Sequence, residues 1–497
     1  MLEQRQVSVY DEQEGGGRVL NLTETTAARE KAEELGERFS AWVWEDPERS
    51  ARLSKLYNDL FNGIALRSYD GAELSLPGMA EVFEPASHQV AAVARILAEP
   101  AVLLAHDVGA GKTAEMVIGS QELRRLGLVH KPGFVVPNHL LEQFGREFLQ
   151  IYPRARVLVA DKDAMDGPNR REFVARCATG DWDAVILSRS ACERIPMSAA
   201  SRRDYMDAEL AMIRRQLAAA RDGGTRSVKR IERALLASEE RLKAKLNTER
   251  RDQGVTWEQT GIDYLFVDEA HGYKNLRTPS NIQGAGIDGS QRADDLGMKL
   301  HYLRQTHGHR VATFATATPI ANSVTEAYVM QRYLQPELLA RAGIDDFDSW
   351  AANFGRVVTE VELAPAGNEY RLHSRFARFR NVPELLRMLH VSADVKTAED
   401  LRLARPAVAG SGPETVVVEC SAELAEYVRE LGRRADLVRS RSVPPEEDNM
   451  LKIATDGRLA ALDLTPGRAS PGRSRERHEG GRCRRSDRSD LGRAPWR

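Results

Sequence analysis

The sequence predicts an α/β protein centred on a parallel, doubly wound sheet. Three observations carry that expectation. Short apolar runs recur between residues 102 and 316, helical stretches separate them, and the first run feeds a glycine-rich loop that opens a helix. The runs are VLLA (102–105), FVVP (134–137), VLVA (157–160), AVILS (184–188), YLFVDE (264–269) and VATFAT (311–316). Strands covered on both faces need such nearly continuous apolarity, and helices between them supply the crossovers of a parallel sheet.

The remaining segments follow in chain order. The chain has 497 residues, enough for about three domains at roughly 150 residues each. Residues 1–20, around Gly15-Gly16-Gly17, read as disordered. Residues 21–80 read as a helical N-terminal module, with Trp42, Trp44, Leu53, Leu56, Tyr57 and Phe61 at helical spacings expected to pack as core. Residues 81–340 hold the sheet. A charged insertion at 198–252 interrupts its rhythm, with Val228, Ile231, Leu235, Leu242 and Leu246 spaced for an antiparallel helical hairpin. Residues 341–463 are mixed, with a strand-like TVVVEC at 415–420.

Residues 464–497 carry ten arginines against four acids, so a net charge of −2 divides into a +6 tail and a −8 body. Such an Arg/Gly/Pro/Ser-rich tail cannot bury a core. It reads as a disordered tail or an out-of-frame extension, with a nucleic-acid-binding arm as the alternative. Any nucleic-acid surface on the acidic body must be a local patch. No run of about 18 apolar residues suggests a membrane span. Cys177, Cys192, Cys420 and Cys483 form no CxxC pair, which speaks against a zinc cluster or disulfide framework and for a reducing cytoplasm.

Three stretches carry chemistry. In HDVGAGKT (106–113), Gly109, Ala110 and Gly111 can bring backbone N–H groups to phosphates. Lys112 can reach the β/γ-phosphates, and Thr113 can hold Mg²⁺. Only the first position of the usual loop departs, since His106 stands where a glycine is common. In YLFVDEAHGYKN (264–275), Asp268 can hold Mg²⁺ and Glu269 can orient or deprotonate water. In FATATPIANSVTEAY (314–328), the hydroxyls of Thr316 and Thr318 sit at a strand end. There they can couple the nucleotide's state to His271 or the acidic pair.

Taken in this order, the three stretches resemble motifs I, II and III of the superfamily-two helicases, and specifically the Swi/Snf-type DNA translocases. A non-glycine residue at the position of His106, the Lys274-Asn275 pair after DEAH and Thr318-Pro319-Ile320-Ala321-Asn322 all match that group's habits. The resemblance implies a RecA-like P-loop ATPase lobe that uses ATP and Mg²⁺ and acts on DNA. It further implies that Gln89, in SHQVAAVARIL (87–97), reads adenine. Asn138, His139, Ser188 and Arg189 would lie near the nucleic-acid backbone.

A broader likeness, through SAWVWEDPERSARLSKLYNDLFN (40–62), SYDGAELSLPG (68–78), LAHDVGAGKT (104–113) and DNMLKIATDGRLAALD (448–463), is to large phage and plasmid proteins. Those fuse an adenine-specific DNA methylase to a helicase. No DPPY-like or NPPY-like methylase loop is found, and no QxxxRxxR stretch follows residue 340. The expectation is an ATP-binding lobe that hydrolyses slowly alone, with a second lobe or a methylase on another polypeptide. A non-catalytic ATP-binding or DNA-tethering fragment is the alternative reading.

Overall fold

The six apolar runs form strands, and a computed structural model shows how they are ordered. The structure describes residues 9–12, 18–71, 74–160, 163–166, 168–222, 232, 236, 240, 255–280, 282, 285–321, 323–363, 370–401, 421–440 and 442–462. Strands β1 (Tyr10–Glu12) and β2 (Arg18–Leu20) form a small antiparallel pair, which corrects the reading of these residues as disordered. The main sheet is built from β3 (Ala101–His106), β4 (Pro132–Val136), β5 (Val157–Ala160), β6 (Ala184–Ser188), β7 (Tyr264–Asp268), β8 (Ala312–Ala315) and β11 (Ala393–Lys396). Two further strands, β9 (Gly355–Leu363) and β10 (Tyr370–Phe379), pair with each other. Strand order in the main sheet is β11-β3-β8-β7-β4-β6-β5, and every pairing is parallel.

Strand side chains alternate between two cores, one on each face of the sheet, as the pleat requires. Val102, Leu104, Phe134, Val136, Tyr264 and Phe266 face one way, under helices Ser87–Ala98, Lys112–Arg125 and Leu141–Ile151. The last of these buries Leu141, Phe144, Phe148 and Ile151 at helical spacing, and Phe134 stacks on Phe266 at 4.8 Å. Ala101, Leu103, Val135, Leu265, Val267 and Phe314 face the other way, against helices that include Gln291–His307, Thr325–Leu334 and Phe347–Phe354. Trp257 and Trp350 are fully buried in that second core, where the Trp350 indole N–H donates to Gln331 Oε1 at 2.8 Å.

Two further expectations change. The sheet continues past residue 340, because Ala393–Lys396 adds an edge strand beside β3. Asp394 and Lys396 alternate with its apolar residues, so ADVK lacks the apolar run that marks the other strands of the sheet. In the N-terminal helices Leu22–Glu45 and Pro47–Tyr57, Trp42 (43%), Trp44 (68%) and Leu56 (54%) are exposed. Phe61 alone of the six is buried. The two helices pack on each other, and Trp42 is shielded by the Arg49 guanidinium 3.8 Å above its ring rather than by a core. The first arm of the insertion is a helix, Ala199–Asp222; nearly all of the expected second arm, and TVVVEC, lie outside the described residues.

The chain divides into two units, residues 1–359 with 374–407, and residues 360–373 with 408–497. Within the second, helices Ala422–Arg439 and Met450–Leu462 enclose Leu431, Ala435 and Ile453. Arg434 adds links to Asp448 at 2.7 Å and Asp456 at 2.8 Å.

Candidate functional site

All three chemistry-bearing stretches leave the sheet at the carboxyl ends of adjacent strands, β3, β8 and β7, where ligands of open parallel sheets bind. The loop after β3 turns sharply because Gly109 and Gly111 take φ of 87° and 84°, which side chains disfavour. A Cβ at Gly111 would lie 2.1 Å from Gln89 Nε2, so the loop passes directly against that side chain. The helix Lys112–Arg125 starts immediately afterwards, which aims its N-terminus and first N–H groups at the loop.

Lys112 Nζ donates to the carbonyls of His106 at 3.0 Å and Asp107 at 3.2 Å, so its ammonium is folded back over the loop. The Gln89 amide is engaged at both ends: Oε1 accepts from Ala86 N at 2.9 Å, and Nε2 donates to Ala110 O at 3.1 Å. His88 Nε2 lies 2.8 Å from the same Ala110 carbonyl.

Asp268 ends β7 and is 7% exposed. Its Oδ1 accepts the Glu269 N–H at 2.9 Å. Burial first, then the neighbouring Glu269 charge, pushes its pKa up to about 6, against the pull of that N–H and of Lys112 and Arg189. Glu269 itself holds a left-handed backbone, φ 51°, an uncommon state for a side chain with a Cβ and one that clusters at functional sites. That turn brings its carboxylate to within 3.0 Å of His271 Nδ1. The same nitrogen lies 3.1 Å from Thr316 Oγ1, which also accepts the Thr318 N–H at 3.1 Å. Thus Glu269, His271, Thr316 and Thr318 form one connected chain across two strand ends.

The residues expected beside nucleic acid separate into two pairs. Asn138 and His139 are exposed at the end of β4, with Asn138 Nδ2 donating to Ser190 Oγ at 2.7 Å. Ser188 is buried, and its hydroxyl caps the next helix by accepting Ala191 N–H at 3.1 Å. Arg189 turns inward and donates to the carbonyls of Asp268 at 3.1 Å and Glu269 at 2.6 Å, where it braces the acidic turn.

Sequence reasoning missed three carboxylates. Glu326, 4% exposed, pairs with Lys274 at 3.0 Å and accepts the Ala321 N–H at 2.7 Å. It ties the segment after DEAH to the loop after TATP. Glu115 and Asp394 flank the buried His106, which Nδ1 joins to Glu115 Oε1 at 2.9 Å. Nε2 lies 3.1 Å from Asp394 Oδ2, close enough to pair charges though off the line of a good hydrogen bond. Burial pushes the His106 pKa down, but the Asp394 and Glu115 carboxylates outweigh it and hold it up at about 9. The GKT, DEAH and TATP letters signalled the loops; nothing local signalled these carboxylates, and Glu326 and Asp394 pair with residues distant in the chain.

A family model described as a probable helicase domain matches residues 96–397, from the helix before β3 to the end of β11. The chain belongs to this probable helicase domain family. The seven-stranded parallel sheet lies wholly within the matched residues. A second model, a domain of unknown function (DUF8437), matches residues 1–63.

The helicase-domain chain is 24% identical over 439 residues to Defense against restriction protein B of Escherichia phage P1. That match covers 78% of this chain and 19% of the phage protein, so the chain spans about a fifth of its relative's length. Two solved structures of the Sulfolobus solfataricus SWI2/SNF2 ATPase core are also similar. The one in complex with dsDNA is 12% identical, covering 66% of this chain and 47% of that one, with a TM-score of 0.35. The core domain alone is 13% identical, covering 75% and 57%, with a TM-score of 0.36. Among the described residues, no helix of the helicase-domain chain is long and apolar enough to cross a membrane.

Proposed function

We propose that residues 81–397 form the ATP-binding and hydrolysing lobe of a DNA helicase or translocase of the Swi/Snf-like type. The observation that carries this reading is the convergence of Lys112, Asp268, Glu269 and Thr316 at the carboxyl ends of three adjacent strands. The donor set suits a nucleotide with Mg²⁺. Gly109 and Gly111 leave the loop open to phosphate oxygens, and the Lys112 ammonium rests on the carbonyls of His106 and Asp107. Asp268 carries a buried charge that burial and Glu269 disfavour, an imbalance a divalent cation offsets. Bound Mg²⁺ would supply charge neutralisation to the phosphates, held by Thr113 and Asp268.

In this reading Lys112 swings from the two carbonyls to the β/γ-phosphates, and the backbone of residues 109–113 surrounds them. Glu269 orients the attacking water and takes its proton. His271 and Thr316 carry the state of Glu269 to Thr318 and so to the rest of the TATP loop. Gln89 would reach adenine after exchanging its bond to Ala110 O. Asn138 and His139, being exposed, are the residues offered to DNA, while Ser188 and Arg189 act inside the lobe. Sequence-independent phosphate contact from few groups implies modest, salt-sensitive DNA binding.

Hydrolysis by this chain alone should be slow, since an arginine supplied to the γ-phosphate is worth about 10³–10⁵ in rate. The test is Mg²⁺–ATP binding and hydrolysis, with and without duplex DNA, for the unmodified chain and Lys112→Ala. The expected result is binding that the substitution removes, with turnover far below one per second. ATP affinity indifferent to Lys112→Ala would overturn the site, and DNA-stimulated turnover of several per second would overturn the slow-hydrolysis part.

A further inference from the structure

His106 lies at the exit of β3 and is fully buried, yet it meets two carboxylates from different elements. Glu115 stands in the first turn of the helix Lys112–Arg125, with no exposure, and its Oε2 has no hydrogen-bond partner among the described residues. Asp394 lies on β11, the edge strand, whose Lys396 is in register with His106. The backbone repeats the connection, because Asp107 N–H donates to Lys396 O at 3.0 Å. On the near side, the His106 carbonyl receives the Lys112 ammonium.

Other charged groups face this cluster. His88 Nε2 is 3.9 Å from Glu115 Oε1, and the Arg95 guanidinium and Lys396 act on Asp394. A glycine at position 106 would leave the buried Glu115 and the half-buried Asp394 without the cation between them, an arrangement that low-dielectric surroundings penalise. The strand exit, the helix start and the edge strand therefore share one imidazole.

We propose that His106 is a positioning residue of the phosphate loop. Through Glu115 and Asp394 it locks the loop's entry to the helix that follows and to β11, so the loop is set for a phosphate only while β11 is docked. This deepens the proposed ATP site and rests on it. Because β11 is the last described strand of its unit, displacement of β11 is transmitted to the loop through Asp394.

The test uses the full 497-residue chain with His106→Gln, Asp394→Asn, the two combined, and Lys112→Ala. Amide hydrogen exchange of residues 107–113 is followed without nucleotide, and Mg²⁺–ATP affinity is measured by calorimetry. Each single substitution should speed exchange in the loop by about tenfold while leaving β4 and β7 protected, as local rather than global opening does. Each should also weaken ATP by about five- to tenfold, a usual size for coupling through a packed network. The combined variant should be no worse than His106→Gln, since Asp394 acts through the imidazole.

Unchanged loop exchange in Asp394→Asn, or equal acceleration throughout the sheet, overturns the proposal. Asp394→Asn is isosteric and on an edge strand, so it decides the matter even if His106→Gln does not fold. Should Lys112→Ala leave ATP binding intact, the nucleotide reading fails, and the exchange data still decide whether the imidazole holds the loop.

Discussion

Replacing His106 by glutamine should destabilise the lobe by an amount that depends on pH in a defined direction. The imidazole titrates at about 9 in the folded protein and near 6.5 when unfolded. Its proton is therefore held more tightly in the folded state. The resulting stability is fully present below pH 6.5 and is lost as pH rises through about 9. At about 1.4 kcal/mol for each pH unit of separation, the window is worth up to about 3 kcal/mol. The lowered pKa of Asp394 belongs to the same interaction and adds nothing further.

The assay is urea unfolding of both proteins at pH 6 and pH 10, followed by tryptophan fluorescence, since Trp257 and Trp350 are fully buried in this unit. The stability lost on substitution should be larger at pH 6 than at pH 10 by up to about 3 kcal/mol. A loss of equal size at both values would refute the carboxylate-clamped imidazole. It would indicate instead that the substitution merely disturbs packing.

Three other substitutions test the surrounding geometry. Gly111→Ala forces a Cβ toward Gln89 Nε2 at φ 84° and should cost about 1–3 kcal/mol in thermal unfolding, with weaker ATP binding beside it. Lys274→Met strips the nearly buried Glu326 of its cation and should cost about 2–3 kcal/mol in urea, part of which Glu326→Gln in the same chain should restore. Asp268→Asn should stabilise the nucleotide-free protein at pH 8 by up to about 3 kcal/mol. The raised pKa of this carboxylate, about 6, makes its ionisation costly as pH climbs through that value, so the gain should vanish at pH 4. A gain from Asp268→Asn no larger at pH 8 than at pH 4 would contradict the buried-charge account.

Interior strands could be read from the chain because burial on both faces permits little but apolar residues. All six runs coincide with strands, five of them interior and β5 at an edge, and their alternate residues supply the two cores. The edge strand Ala393–Lys396 left no such trace, since Asp394 and Lys396 interrupt its apolar residues and its Val395 is exposed. The N-terminal stripe misled for a related reason: helical spacing of Trp42 and Leu56 marks a face, whereas a covering layer decides whether that face is core. At the site, the glycines, Lys112 and the DEAH carboxylates were legible because their chemistry depends on local backbone geometry and short spacing.

By itself, then, the sequence determined the parallel α/β class, the phosphate loop and the acidic turn, all of which arise from patterns within a dozen neighbouring residues. The tertiary structure alone decided that Arg189 turns inward to the carbonyls of Asp268 and Glu269, and that Glu326 anchors Lys274. It likewise decided that His106 sits between Glu115 and Asp394, residues separated by 279 positions. Such pairs depend on which strands become neighbours, and a buried charge acquires its partner only when the sheet order brings that partner within reach.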